Sequence, residues 1–170
     1  RAYVFGCGNS IRGIFAGGEG NNTIDYITIA STGDATDFGD LIHVSYRSAC
    51  SSSVRGIYGG SYDGSARNYI DYITIATLGN SVDFGDLTSA RGFLSACSSD
   101  VRGVFGGGMP SGDTNIMDYI TIVSTGNAID FGDLTVRRRD LAGTGSSMRG
   151  CFAGGYGDYD IIDYITIDTI

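Results

Sequence analysis

The chain contains no Lys: all 11 basic residues are Arg, they face 19 acidic residues, and the net charge is −8. Such a surface repels nucleic acid, whose phosphates are bound by neutralising cations. His43 is the single His, too little imidazole for a copper centre. No Gly-x-Ser-x-Gly elbow accompanies it, so a Ser-His-Asp site lacks its usual nucleophile turn. The string Gly6-Cys-Gly-Asn-Ser-Ile is no phosphate loop, because no Gly-Lys-Ser/Thr follows. No apolar run approaches the roughly 20 residues that cross a bilayer, and no basic stretch leads into an apolar one as in a signal peptide. No membrane partner is therefore expected. The four Cys are not spaced as a metal site; Cys7, Cys50 and Cys97 fall at one place in three successive units, and Cys151 lies in a different strand. Equivalent places in neighbouring units are expected to exceed the roughly 7 Å that a disulfide spans, so these read as small buried thiols. Neither metal nor cofactor is expected.

What the chain does have is 28 Gly, 11 Tyr, 8 Phe and many Ile and Thr, with an apolar content of 42%. That is enough to bury a core, and the mixture favours strands and tight turns. An all-β protein is the expectation. A fixed period then dominates the reading. Ile-Asp-Tyr-Ile-Thr-Ile stands at 24–29, 70–75 and 162–167, and Met117 replaces its first Ile at 117–122, in steps of 46, 47 and 45. Asp-Phe-Gly-Asp-Leu starts at Asp37, Asp83 and Asp130, and an Arg-Gly segment running into a Gly pair starts at Arg12, Arg55, Arg102 and Arg149.

Each unit parses into four strands. Phe93 to Ser98 leads through a polar turn to Arg102-Gly-Val-Phe, which ends at Gly106-Gly107; a loop precedes the alternating strand Asp118-Tyr-Ile-Thr-Ile-Val. The turn Ser124-Thr-Gly-Asn127 carries hairpin chemistry and feeds a strand around Asp130 to Leu134. Four short strands in 40 to 50 residues is the period of a β-propeller blade. The rival, a parallel β-helix, has shorter coils and no need of this hairpin. The repeats run over about 1–41, 42–87, 88–134 and 135–170, within one propeller or propeller segment, and the last lacks its fourth strand. An open edge of that kind is a liability. A missing segment, another chain or four-bladed closure is expected to shield it. Opening on Arg1 rather than Met, the sequence is expected to extend toward the N-terminus or to have been processed.

The same residues carry a family resemblance. A Gly pair closing the second strand (Gly17-Gly18, Gly59-Gly60, Gly106-Gly107, Gly154-Gly155), a Tyr in the third (Tyr26, Tyr72, Tyr119, Tyr164), an aromatic in the fourth (Phe38, Phe84, Phe131) and an Arg opening the next blade, as at Arg91, resemble the kelch repeat over the whole chain. Phe stands where kelch repeats usually carry Trp, and 12 residues separate Tyr from Phe, longer than usual, so the chain is similar to a kelch variant. The wording of the repeat also resembles repetitive kelch-like proteins of marine bacteriophages and environmental viruses. That resemblance implies a virion or extracellular setting.

Residues that recur in every blade are best explained by the frame. Asp25, Asp71, Asp118 and Asp163 recur, as do Arg12, Arg55, Arg102 and Arg149, and are expected to form blade-to-blade ion pairs and hydrogen bonds. The triplets Asp34-Asp37-Asp40, Asn80-Asp83-Asp86 and Asn127-Asp130-Asp133 offer oxygen ligands, but a hairpin separates them and no compact calcium loop results. The loops before each third strand differ in length and side chain, and in a propeller they emerge on one face together with the connections between blades. There Tyr62, Arg67, Asn68, Met109, Asp113, Tyr156, Asp158 and Tyr159 supply stacking faces, donors and acceptors suited to a sugar or a protein surface. The expected function is a non-enzymatic structural or adhesion module of a virion fibre or appendage, binding a glycan or protein receptor through these loops. The alternatives are a glycan-active or oxidase-like propeller enzyme, and an intracellular kelch-type interaction scaffold.

Overall fold

The computed structural model describes residues 1–157 and 159–168. They form fifteen strands in four antiparallel sheets, with no helix among the described residues. The first sheet holds β1 (Phe5–Gly8), β2 (Arg12–Ala16), β3 (Thr23–Thr28) and β4 (Thr36–Asp40), paired in chain order. The second holds β5 (Ser48–Ser51), β6 (Arg55–Tyr62), β7 (Ala66–Thr74) and β8 (Val82–Asp86). The third holds β9 (Ser95–Ser98), β10 (Arg102–Gly106), β11 (Ile116–Thr121) and β12 (Ile129–Asp133). The fourth has three strands: β13 (Ala142–Gly145), β14 (Arg149–Ala153) and β15 (Ile162–Thr166). The sheets stand as four successive blades of a β-propeller. Their inner strands β1, β5, β9 and β13 pack in that succession around a channel of about 200 Å³.

The core lies between blades rather than within them. Side chains of a strand alternate between two faces, so each of the two middle blades meets the blade before it with one face and the blade after it with the other. Ile14, Ala16 and Ile24 of the first blade share a cluster with Tyr58, Ile73 and Ile75 of the second. Ile57, Ile70 and Phe84 of the second pack with Phe105, Ile120 and Ile122 of the third. Val104, Met117 and Tyr119 of the third pack with Phe152 and Ile167 of the fourth. Burying one such aromatic or aliphatic side chain contributes about 1.5–3 kcal/mol.

The Asp-Phe-Gly-Asp motif acquires a local explanation. In β3–β4 the register passes from Ile24↔Gly39 to Asp25↔Asp37, which leaves Phe38 as the extra residue of a β-bulge. Phe84 and Phe131 are the extra residues in the next two blades. The bulge is followed by a positive φ at Gly39, Gly85 and Gly132. It tips each Phe edge-on to the Tyr of the third strand, at centroid distances of 6.0, 5.9 and 6.0 Å.

The Gly pairs are offset by one residue between blades. The left-handed position shared by all four is Gly17, Gly60, Gly107 and Gly154, with φ of 65, 68, 67 and 65°. It is the first Gly of the pair in the outer two blades and the second in the inner two, where the preceding Gly59 and Gly106 correspond to Ala16 and Ala153. A methyl on Gly60 would lie 2.4 Å from the Arg91 carbonyl oxygen, and one on Gly107 2.6 Å from that of Arg138.

The recurring Arg and Asp do not pair with each other. Arg12, Arg55, Arg102 and Arg149 lie over Tyr26, Tyr72, Tyr119 and Tyr164 of their own blades, 4.6, 4.3, 4.7 and 5.2 Å from the ring centroids. The first three also reach the next blade, donating to the carbonyls of Ile75, Ile122 and Ile167. Asp25, Asp71, Asp118 and Asp163 are met instead by Arg1, Arg47, Arg91 and Arg138, which precede the inner strand of the same blade. The Arg91–Asp118 and Arg138–Asp163 contacts measure 2.7 and 2.9 Å. The physical reason is reach: the opening Arg is held over a ring, while the linker passes directly beside the bulged carboxylate. The acidic triplets act at the outer rim, where the Asn80 and Asn127 side chains accept from the Asp40 and Asp86 amides of the preceding blade at 2.9 and 3.1 Å.

Candidate functional site

The loops between second and third strands and the linkers between blades share one face, tied by backbone hydrogen bonds. The amides of Glu19, Ser61, Gly108 and Tyr156 donate to the carbonyls of Ala2, Arg91, Arg138 and Arg139. Each linker then turns into its inner strand at a shared position, Tyr3, Tyr46, Phe93 and Asp140, and in the second blade Ser45 before it is left-handed as well, with φ of 71°. All four have left-handed backbone without being Gly, at φ of 58, 35, 57 and 54°. Such a conformation costs about 1–3 kcal/mol per residue and persists where the surroundings impose it. Two residues before Phe93 and Asp140, the buried Arg91 and Arg138 anchor the linker, donating to the carbonyls of Phe105 and Phe152 while gripping their carboxylates.

The four turns converge at the mouth of the channel. Tyr3 and Tyr46 have ring centroids 4.9 Å apart, Tyr46 and Phe93 4.6 Å, and Phe93 and Tyr62 5.2 Å. Tyr3, Tyr46 and Phe93 line a cleft of about 260 Å³ together with Asp140. Burial raises the Asp140 carboxyl above its ordinary range; the Arg139 guanidinium opposes this and Asp113 adds to it. The Tyr46 hydroxyl is also raised, by desolvation first and then by the charge of Glu19. Ring faces tilted against one another beside one carboxylate suit a ligand with both apolar CH surface and hydroxyl or amine donors.

The loop residues singled out in the sequence fall into two groups. Tyr62 belongs to the aromatic array. Asp113 and Tyr156 belong to a second group, with Arg139 donating to Asp113 at 2.6 Å and lying 4.1 Å over the Tyr156 ring. The Asp113 hydrogen bond is the first cause of a raised Arg139 pKa. Arg67 pairs with Asp63 at 3.3 Å inside its own hairpin, Asn68 accepts the Leu87 amide through its carbonyl, and Met109 bridges to Gly92. Tyr159 lies against Gly157, with its ring 3.4 Å from where a Cβ would stand. Asp158 lies outside the described residues. The sequence did not single out Tyr3, Tyr46, Phe93 or Asp140. Their signal was present as a three-aromatic, one-acid column just before each inner strand, at a position where only the fold reveals the shared backbone twist.

Two other groups bear on chemistry. His43 Nδ1 lies 2.8 Å from Asp71, its ring stacked 3.8 Å from Tyr69, but that carboxylate is also held by buried Arg47. The four Cys are free; burial pushes the thiols of Cys7 and Cys97 up to about 12, and that of Cys50 well up. Inert thiols of this kind are packing elements. Among the described residues no group of three or more His, Cys, Asp or Glu is placed to hold a metal ion.

The chain is a β-propeller whose loops and linkers build one aromatic, acid-edged face. Compared with known proteins, it matches no family model and no curated protein.

Proposed function

We propose that this chain is a non-enzymatic adhesion module that binds a glycan on its linker face. The observation that carries this is the row Tyr3, Tyr46 and Phe93 beside Asp140, held in left-handed turns at a cleft of about 260 Å³, with the Tyr62 ring extending the row from Phe93. Sugar rings present CH faces to aromatic rings and hydroxyls to carboxylates, and both partners stand here on rigid blades. The repeat is a kelch-like variant, and its setting is a virion fibre or appendage; the recurrence of a frame with varied loops supports that setting.

Binding of the purified chain to a glycan array is the test. Tyr46→Ala and Phe93→Ala each remove a ring from the row and are expected to weaken a positive signal by about tenfold or more. A glycan signal that both variants retain places the contact elsewhere. If instead a protein receptor is bound through the same rings, the row stands and the ligand class is corrected.

A second reading rests on an ionisable pair that does not repeat from blade to blade, His43 with Asp71. In an enzyme that carboxylate would orient the imidazole as a general base. Carbohydrate turnover lost in His43→Ala would favour it.

A further inference from the structure

The two end blades expose the two halves of an interface that the molecule already makes three times. Tyr58, Phe105 and Phe152, the second-strand aromatics of the later blades, are 0% exposed against the preceding blade, whereas the equivalent Phe15 is 42% exposed. Ile75, Ile122 and Ile167 are likewise at 0%, and their counterpart Ile29 is at 54%. On the other end, Ile162 is 68% exposed where Ile24, Ile70 and Met117 are at 5% or less. Tyr164 is also 68% exposed, while Tyr119 is at 7%.

The polar groups are unmatched in the same complementary way. Arg12, Arg55 and Arg102 each donate to an Ile carbonyl of the following blade. Arg149 is set over its Tyr in the same manner, and the carbonyl it would reach by analogy is that of Ile29. Gly56, Gly103 and Gly150 each receive a sulfur from the preceding blade, whereas the space over Gly13 holds only its own sheet's side chains.

We propose that the open face of the fourth blade docks the open face of the first blade of a second copy of this chain, head to tail, repeating the internal blade contact. The occupant follows from the structure: the surface that fits Ile162, Tyr164 and Arg149 is the one that Phe15, Ile29 and Gly13 present. A contact between two different patches is heterologous, so it either closes a ring or runs on as a filament. Two copies closed at both joints would make eight blades, within the range propellers adopt.

Sedimentation equilibrium of the 170-residue chain between about 1 and 100 µM is the test, with Phe15→Asp and Ile162→Asp as variants. Both positions face solvent in the single chain, so circular dichroism and melting of dilute samples should match the parent. The parent should associate, and each variant alone should lose at least about tenfold in association constant, because its joint buries an unpaired charge. Mixing the two variants should restore a species of two copies and no larger, since one intact half of the joint survives on each. A parent chain that stays monomeric at 100 µM overturns the proposal; that is the result if a different protein or segment covers these faces. Variants that associate as the parent does, or a mixture that restores nothing, overturn it as well.

Discussion

At the scale of single residues, the sharpest constraint is glycine beside sulfur. Methyl groups on Gly56, Gly103 and Gly150 would stand 2.8, 2.8 and 2.3 Å from the Sγ atoms of Cys7, Cys50 and Cys97 of the preceding blades. None of the three has a left-handed backbone, so the demand is for space. Gly150→Ala is expected to lower the unfolding free energy by about 1–3 kcal/mol, the usual cost of overpacking. Cys97→Ala in the same chain should return part of that loss by removing the sulfur. Urea denaturation of both single variants and the double variant measures the coupling, and strictly additive losses would place the strain elsewhere. The recurrence of Arg-Gly and of Cys was legible in the sequence. That one seats upon the other across a blade boundary was not, because sequence periodicity aligns equivalent positions and says nothing of which unlike positions touch.

At the scale of elements, the linkers are held to the third strands by buried ion pairs. Arg91 and Asp118 are wholly shielded from solvent, and Thr88 adds its hydroxyl to the same carboxylate. Removing one member leaves the other charge uncompensated, so Asp118→Ala should cost about 3–5 kcal/mol. Asp63→Ala, which breaks the exposed pair with Arg67, should change stability by less than about 1 kcal/mol. Thermal melts of the two variants side by side give the comparison, and equal losses would contradict it. The carboxylates were visible as a repeat. Their partners were not, since in the second blade the Arg has moved: Val44 stands where Arg91 and Arg138 stand, and Arg47 takes the place of Leu94 and Leu141. A linker one residue shorter brings that Arg to the same carboxylate from a different position.

At the scale of the whole molecule, stability is a sum of blades and the contacts between neighbours, as in other repeat proteins. Equivalent side chains should therefore differ by position alone. Phe105→Ala empties a site shielded on both sides and is expected to cost about 3–5 kcal/mol. Phe15→Ala, the same change in the first blade, should stay within about 0.5 kcal/mol in dilute solution. Equal destabilisation by the two, measured in urea, would mean that the first blade is covered.

The sequence by itself determined the strands, their hairpins and their fourfold recurrence, because β-branched alternation, turn chemistry and period are local properties of the chain. Only the tertiary structure decided what the repeats do to one another. It put the core between sheets, turned Phe38, Phe84 and Phe131 into bulge residues, and gathered Tyr3, Tyr46, Phe93 and Asp140 at one mouth. It also left Phe15 and Tyr164 facing solvent at opposite ends. Position in a succession of blades is a property of packing, and residues with the same neighbours in sequence acquire different neighbours in space.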